Sequence, residues 1–254
     1  MSILVTGDTH GDFTRFSIDN FPQGKNLTKE DYIIILGDFG LIWSQKEDKN
    51  EIYWKNWLEN KPWTTLFIDG NHCNFDRLNQ YPIEEWHGGK VHFIRPSVIH
   101  LMRGEIFDID GNSFLTMGGA ASHDIKDGIL EPDDPDYKEK YRRMIKDPFC
   151  LFRVNHRSWW KEEIPSVQER QNALANLAER DFKVDYILTH EAPSSDVALV
   201  GRGLYKPDEY SIFLENEIRA KTQYKHWFFG HYHIDHHVNE KETFLYESIN
   251  FLCY

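Results

Sequence analysis

Short runs of consecutive apolar residues recur along this sequence, and each ends at a glycine, aspartate or histidine. The runs are four or five residues long and rich in β-branched and aromatic side chains. A strand that is buried on both faces has this pattern, whereas a half-exposed strand alternates apolar and polar positions. The pattern therefore predicts buried strands over residues 3–6, 32–36, 65–68, 186–189 and 226–229.

Helical periodicity appears between some of these strands. After Pro165, Ser166 and Glu169 have the spacing of a capping box, and apolar residues then recur at helical intervals. A second helix is predicted over residues 212–220. Further strands are predicted over 91–94, 105–109, 113–117 and 244–247, with a hairpin turn at 110–112.

The stretch from residue 121 to residue 165, called the 121–165 segment below, differs from the rest. It is charged, contains prolines and is rich in Arg and Trp. We interpret it as an insertion or lid beside the core of a single domain that spans residues 1–254. The residues Gly118, Gly119, Ala120, Ser122 and Asp124 are predicted to form a turn that lines the cleft.

Composition and charge narrow the class of protein. About 40% of the residues are hydrophobic and 28% are charged, which is typical of a globular chain. The formal net charge of −12 opposes general binding to nucleic acid, so we expect nucleic acid only as a substrate. No segment approaches the roughly 20 apolar residues that span a bilayer, so no membrane partner is expected.

The N-terminus and the cysteines bear on the compartment. Residues 1–6 lack the basic region of a signal peptide. The cysteines Cys73, Cys150 and Cys253 are odd in number and far apart, which favours reduced thiols. Both features predict a cytoplasmic protein. Nothing in the sequence indicates an oligomeric state.

Polar side chains directly follow each of the five strands predicted to be buried. In open α/β sheets, ligands bind beyond the carboxyl ends of the strands, which is where these side chains lie. Any one of the histidines could be a packed, hydrogen-bonded residue, and an aspartate there could cap a turn. Their joint occurrence favours a metal site. Mixed imidazole and carboxylate ligands favour Mn, Fe, Zn, Co or Ni over Mg or Ca. The candidate ligands are Asp8, His10, Asp38, Asn71, His190, His231 and His233.

Five motifs in order over residues 7–233 resemble the calcineurin-like metallophosphoesterase superfamily. They are Gly7-Asp8-Thr9-His10-Gly11, Gly37-Asp38, Gly70-Asn71-His72, Thr189-His190 and Gly230-His231-Tyr232-His233. The resemblance implies a four-layer α-β-β-α sandwich, with two mixed sheets packed face to face, helices outside and two divalent metal ions at the carboxyl ends of the strands. By the same resemblance Asp8, His10 and His233 hold the first ion, and Asp38 bridges both. Asn71, His190 and His231 hold the second ion. Among the metals that suit these ligands, we favour Mn²⁺, partly because of this resemblance.

The activity implied is hydrolysis of phosphate monoesters or diesters. Two divalent cations carry more charge than two carboxylates remove, so the site attracts a phosphoester substrate and yields a metal-bound hydroxide as nucleophile. His72 is not a ligand in this scheme, and its imidazolium protonates the leaving group. The alternative is that His72 only orients a neighbouring ligand. The other histidines that we interpret as surface or structural are His100, His123, His156, His226, His236 and His237.

The sequence departs from one branch of the superfamily, the phosphoprotein phosphatases. Gly40-Leu41-Ile42-Trp43 stands where that branch has an Asp-Arg pair whose arginine clamps phosphate. We therefore expect a clamp from Arg153, Arg157 or Arg202, with Arg142, Arg143, Asn155 and His156 as further candidates. A nuclease or nucleotide phosphodiesterase remains an alternative. A non-catalytic scaffold is disfavoured because every ligand and His72 are present.

Overall fold

The computed structural model describes residues 1–201 and 206–252. The strands in these residues are, in chain order, β1 (Ile3–Thr6), β2 (Tyr32–Leu36), β3 (Thr64–Ile68), β4 (Ile83–Trp86), β5 (Gly89–Arg95), β6 (Val98–Leu101), β7 (Glu105–Ile109), β8 (Asn112–Met117), β9 (Gly128–Leu130), β10 (Phe152–Val154), β11 (Tyr186–Thr189), β12 (His226–Phe229), β13 (His236–Asn239), β14 (Glu242–Phe244) and β15 (Ile249–Phe251). The helices are α1 (Lys49–Glu59), α2 (Phe75–Leu78), α3 (Tyr137–Met144), α4 (Val167–Ala178), α5 (Ser194–Gly201) and α6 (Glu209–Phe213), which continues as a π-helical turn (Leu214–Arg219). Short 3₁₀ turns cover Thr14–Phe16, Pro22–Asn26 and Lys161–Glu163.

Two mixed sheets form the centre of the fold. Sheet A has the strand order β15-β1-β2-β3-β6-β5-β4, and sheet B has the order β13-β14-β12-β11-β8-β7. In sheet A the strands β1, β2, β3 and β6 are parallel. In sheet B the strands β8, β11, β12 and β14 are parallel. The carboxyl ends of the parallel strands in each sheet therefore share one edge.

Alternate residues of each central strand pack into different layers. Ile34 and Leu36 point into the apolar layer between the two sheets, together with Leu188 and Phe228 of sheet B. Ile33 and Ile35 point to the outer face of sheet A, where α1 packs. The outer face of sheet B is covered by α4, α6 and the π-helical turn. Both faces of these strands are thus buried, which explains their unbroken apolar sequences. The predicted four-layer sandwich is confirmed.

Most predicted elements are confirmed with small shifts in their ends. Ser166 caps α4 through the predicted reciprocal bonds with Glu169. The hairpin between β7 and β8 has Ile109 opposite Asn112, and both central residues of the turn have positive φ. Such a turn matches the twist of paired strands.

Two predicted elements lie elsewhere. The helix predicted from residue 212 begins at residue 209, because Asp208 accepts hydrogen bonds from the first turn. The strand predicted over 244–247 ends at residue 244 instead. That strand begins at Glu242, and its first two residues are polar but buried. Arg219 hydrogen-bonds to the side chain of Glu242, and His226 hydrogen-bonds to that of Thr243.

The 121–165 segment has a small core of its own. Its strands β9 and β10 pair in parallel, and α3 packs beside them. Leu130, Met144 and Val154 form the buried cluster. Of the predicted reduced thiols, Cys73 is buried and Cys150 is half-buried, and both are free, whereas Cys253 lies outside the described residues. None of the described helices combines the length and apolar character that crossing a membrane requires.

Candidate metal centre

The carboxyl ends of five strands bring the seven candidate ligands together. Sheet A provides Asp8 and His10 after β1, Asp38 after β2 and Asn71 after β3. Sheet B provides His190 after β11, and His231 and His233 after β12. The site therefore spans the edge where the two sheets meet.

Asp8, His10 and His233 form one group of possible ligand atoms. The carboxylate of Asp8 is fully buried, and its Oδ2 lies 3.2 Å from His233 Nε2 and 3.7 Å from His10 Nε2. The two imidazole nitrogens are 2.8 Å apart. His10 and His233 are partly exposed, so this group opens to solvent.

A second group lies deeper and includes Asp38, Asn71 and His190. His190 is fully buried, and its Nδ1 lies 2.7 Å from the carbonyl oxygen of Leu36. When Nδ1 donates that hydrogen bond, the lone pair of Nε2 is free to face a cation. His190 Nε2 lies 3.2 Å from Asn71 Oδ1 and 3.5 Å from Asp38 Oδ1.

Asp38 lies between the two groups. Its Oδ1 faces His190 and also accepts a hydrogen bond from the backbone of His72 at 2.8 Å. Its Oδ2 faces His10 Nδ1 at 3.9 Å. A carboxylate whose two oxygens face two groups of donors has the geometry needed to bridge two cations.

His231 is close to the second group, but its Nε2 faces another histidine. The rings of His231 and His190 are 4.9 Å apart between centroids. His231 Nε2 lies 2.9 Å from His123 Nε2. We interpreted His123 as surface or structural, and it is exposed, yet it also borders the site. No sequence motif indicated that His123 borders the site, because it reaches the site only through the turn that follows β8.

The backbone around the site is unusual at four of the seven candidate ligands. His10, Asp38, His231 and His233 have φ between 41° and 69°, a region that few residues other than glycine adopt. Such conformations cluster at functional sites, where the surrounding structure enforces them. The neighbouring backbone is also closely packed: a Cβ at Gly70 would lie 2.1 Å from Asp38 Oδ1.

The electrostatics of the site favour positive charge. Burial alone would lower the pKa of His190, but Asp38 and Asp8 raise it to about 10. Conversely, although burial opposes it, the histidines, with His190 foremost, hold the pKa of Asp38 below its usual range. Burial lowers the pKa of His231 well below its usual value, so its imidazole is neutral near pH 7 and can offer a lone pair to a cation. A divalent cation thus competes for a pocket that already attracts protons.

The donor set fits divalent metal ions. Asp8 Oδ2 is buried without a hydrogen bond, although His233 Nε2 is near it. Two groups of three side chains have ligand atoms within 4.8 Å of one another: Asp8, His10 and His233 in one, and Asp8, Asp38 and His190 in the other. A buried carboxylate oxygen left unsatisfied is costly unless a cation reaches it.

His72 lies at the mouth of the site, beside Trp43 and Arg153. Its Nε2 is 4.0 Å from Asp38 Oδ2, and its ring is 5.3 Å from the ring of Trp43. Burial lowers the pKa of His72 and Arg153 lowers it further, whereas Asp38 raises it. Trp43, the last residue of the run that stands in place of the phosphatases' Asp-Arg pair, thus forms an aromatic wall next to His72.

The predicted phosphate-binding arginines are in different surroundings. Arg153 forms a salt bridge with Asp124 and lies over the ring of Trp43. Arg157 donates to the hydroxyl of Tyr137 and lies over that ring. Arg202 lies outside the described residues.

Two other predicted residues are near this region, and one arginine was missed. His156 pairs with Asp76 at 2.9 Å, and Asn155 donates to Glu131. Arg15 was not predicted, yet its Nη2 donates to the backbone oxygen of Asp8 at 2.6 Å. It fixes the loop after β1 rather than a ligand atom, and only its place after the first motif could have indicated this role.

Comparison with known proteins agrees with this geometry. The family model described as calcineurin-like phosphoesterase matches residues 1–235. No curated protein matches the chain significantly. The match covers all the strand ends described above and supports metal-dependent phosphoester hydrolysis in general. This chain belongs to the calcineurin-like phosphoesterase family.

Proposed function

We propose that this protein hydrolyses phosphate monoesters or diesters at a binuclear metal centre. The ligands proposed are Asp8, His10 and His233 for one ion, Asn71, His190 and His231 for the other, and Asp38 for both. The observation that supports this best is the position of Asp38, whose two oxygens face different groups of imidazoles. Two divalent cations held there would bind the phosphoryl oxygens and lower the pKa of a water molecule.

The protein's own residues hold and orient the reactants. Asp8 and Asp38 are buried and fixed, since Asp8 Oδ1 accepts from the backbone of His231 and Asp38 Oδ1 from that of His72. The partly exposed side of the site, at His10 and His233, leaves room for the substrate. Fixed charges in a pocket closed on one side stabilise the charge that develops in the transition state.

We propose His72 as the donor of a proton to the leaving group. Its backbone is held by Asp38, and its side chain is about 29% exposed, so the ring reaches both the site and solvent. A general acid must lie within reach of the departing oxygen. The ring of His10, which is itself partly exposed, lies 5.5 Å from that of His72 between centroids.

Arg153 is our proposed contact to the phosphate. It belongs to the 121–165 segment, yet its charge acts on His72. Its partner Asp124 is partly exposed, so a phosphate can replace that carboxylate. Arg157 is held by Tyr137 and serves as the matched control. We expect Arg153→Gln to raise KM more than Arg157→Gln. The role of Arg202 stays a prediction from the sequence.

A nucleotide phosphodiesterase is the second candidate, and Trp43 favours it. Its half-buried ring next to His72 offers a stacking surface for a planar base in the leaving group. A cyclic nucleotide and single-stranded DNA should then react faster than an alkyl diester under equal salt. Trp43→Leu should remove that advantage. Equal rates on all three would contradict this candidate and leave a general phosphoesterase.

The main test uses p-nitrophenyl phosphate and bis-p-nitrophenyl phosphate with purified protein and Mn²⁺, our preferred ion. We expect turnover of at least one of them and a larger rate with Mn²⁺ than with Mg²⁺. Asp38→Asn should abolish it, whereas Asp185→Asn, at the opposite end of β11, should not. If neither substrate reacts and Asp38→Asn changes nothing on any phosphoester tried, the proposal fails.

A further inference from the structure

The side-chain amide of Asn71 ends in an oxygen and an NH₂ group of almost equal size. Rotation of the amide by about 180° exchanges their positions. A cation binds the oxygen, whereas the NH₂ group repels it. Asn71 is buried, and its Oδ1 lies 3.2 Å from His190 Nε2. Its Nδ2 donates to Ser122 Oγ at 3.2 Å. The orientation of the amide therefore depends on whether the hydroxyl of Ser122 accepts a hydrogen bond from Asn71 or donates one to it.

Ser122 has its own orientation set by Glu163. The hydroxyl donates its single proton to Glu163 Oε2 at 2.7 Å, and the backbone N–H of Ser122 donates to Oε1 at 2.9 Å. Burial raises the pKa of Glu163 to about 7, and above that pH its carboxylate is ionised and only accepts. The hydroxyl must then face Asn71 with its lone pairs, and Asn71 can only donate. The hydrogen bonds run in one direction, from Asn71 through Ser122 to Glu163.

The two residues that set this direction come from opposite ends of the 121–165 segment. Both are buried, and the backbone oxygen of Glu163 accepts from Arg103, which is itself paired with Asp69. Gly119 donates to the backbone oxygen of Asp69. The segment is therefore anchored at the end of β3, next to Asn71.

We propose that Ser122 and Glu163 are positioning residues that turn the Asn71 oxygen towards the cations and so set the affinity for the second ion. This inference rests on the proposed role of Asn71 as a ligand. Partners of a ligand that fix its orientation typically change metal affinity by about 10–100-fold when they are removed.

The direction of the bonds gives an unusual prediction for Glu163→Gln. The backbone N–H of Ser122 always donates, so the glutamine oxygen must stay opposite it, and the NH₂ group then faces the hydroxyl. The hydroxyl accepts that bond, so its own proton is no longer held by residue 163 and is free to turn towards Asn71. Asn71 is then driven to flip and point Nδ2 at the cation. Ser122→Ala only removes the preference, whereas Ser122→Thr keeps the hydroxyl.

The experiment measures, at a pH above 7 where Glu163 is ionised, the binding of Mn²⁺ to metal-free protein by calorimetry, and the visible absorption of the Co²⁺-loaded protein. We expect second-site affinity to fall in the order wild type and Ser122→Thr, then Ser122→Ala, then Glu163→Gln, by about 10–100-fold overall. The matched control is Ser97→Ala. Ser97 likewise donates its backbone N–H and its hydroxyl to a glutamate, both to Oε2 of Glu59, and it is equally buried, but it precedes β6, at the other end of the sheet.

Each outcome bears on the proposal in a defined way. Wild-type affinity in both Ser122→Ala and Glu163→Gln would overturn it, as would equal losses in Ser97→Ala. Asn71→Ala separates this failure from failure of the proposed function. If Asn71→Ala also binds two ions normally, the assignment of Asn71 as a ligand is wrong. Should Ser122→Ala unfold, the isosteric Glu163→Gln and the Ser122→Thr control still decide the question.

Discussion

Two buried clusters of carboxylates and histidines lie at the carboxyl edge of sheet A. They differ in how the negative charge of the carboxylates is neutralised. In the first, which we call the Asp69 cluster, Arg103 donates two hydrogen bonds to Asp69 Oδ2, and His100 lies 3.1 Å from Oδ1. His92 in turn lies 3.2 Å from His100 between their Nδ1 atoms. Both oxygens of Asp69 have partners, and Arg103 supplies a permanent positive charge.

The second cluster is the candidate metal centre, where Asp8 and Asp38 have only histidines as charged partners among the described residues. Arg15 is adjacent to Asp8 but binds its backbone oxygen. The Asp69 cluster is complete within the protein, whereas the candidate centre needs positive charge from outside. Both clusters contain carboxylates and histidines. What distinguishes the structural cluster from the candidate metal site is that it includes an arginine side chain, which carries a permanent positive charge.

The largest effect is expected from breaking the Asp69 cluster. Arg103→Met leaves a buried carboxylate without its charge partner and should lower the free energy of unfolding by about 3–5 kcal/mol. Arg180→Met is the matched control, because Arg180 forms a similar two-bond pair with Asp108 at the surface. We expect less than about 1 kcal/mol there. Urea denaturation measures both, and equal losses would contradict the comparison.

Metal should stabilise only the second cluster. Mn²⁺ at 100 times its dissociation constant should raise the free energy of unfolding by about 2.7 kcal/mol. Thermal unfolding with and without Mn²⁺ measures this difference. The increment should vanish in Asp38→Asn and persist in Arg103→Met, despite the lower starting stability. An undiminished increment in Asp38→Asn would show that the ions bind elsewhere.

Removal of the imidazole of His72 should affect turnover but not metal binding. We expect His72→Ala to lower kcat by about 100-fold with an alkyl phosphate. The loss should be smaller with p-nitrophenyl phosphate, because p-nitrophenolate leaves without a proton. Steady-state kinetics with both substrates test this. A fall in bound metal, with equal losses on both substrates, would support the alternative that His72 orients a ligand.

The effect that is spread most gradually concerns acid and the Asp69 cluster. Burial and His100 lower the pKa of His92 from 6.5 to about 4. The native state therefore binds fewer protons than the unfolded state between these values, so stability falls as the pH falls from 6.5 to 4. The slope is at most about 1.4 kcal/mol per pH unit. His92→Gln should flatten urea-denaturation midpoints over this window, whereas His236→Gln, on exposed β13, should leave the slope unchanged.

Local patterns in the sequence were sufficient for the central strands and for the positions of the candidate ligands. Runs such as 32–36 are apolar at every position because both faces are covered, so they do not depend on a distant partner to be recognised. The ligand candidates follow these runs directly, and parallel strands bring their ends together. This is why all seven lie at one edge of the fold.

Features that depend on distant partners could not be predicted in this way. Glu242 is a charged residue inside β14, and its hydrogen bonds from Arg219, Tyr224 and Asn239, which lie outside that strand, make the position compatible with burial. His123 and Ser122 approach the site because the chain turns after β8. The link between Ser122 and Glu163 joins residues 41 positions apart. None of these contacts has a local sequence signature.

The candidate ligands come from both sheets, three or more from each, so the candidate centre joins the two halves of the sandwich. Sliding one sheet against the other by the length of a single bond would separate His190 from Asn71 and Asp38. Packing in the layer between the sheets, at residues such as Phe107 and Phe114, consequently controls how well the cage closes. We therefore expect a substitution deep in that layer to impair the proposed turnover without contacting any candidate ligand, through the fit of the two sheets alone.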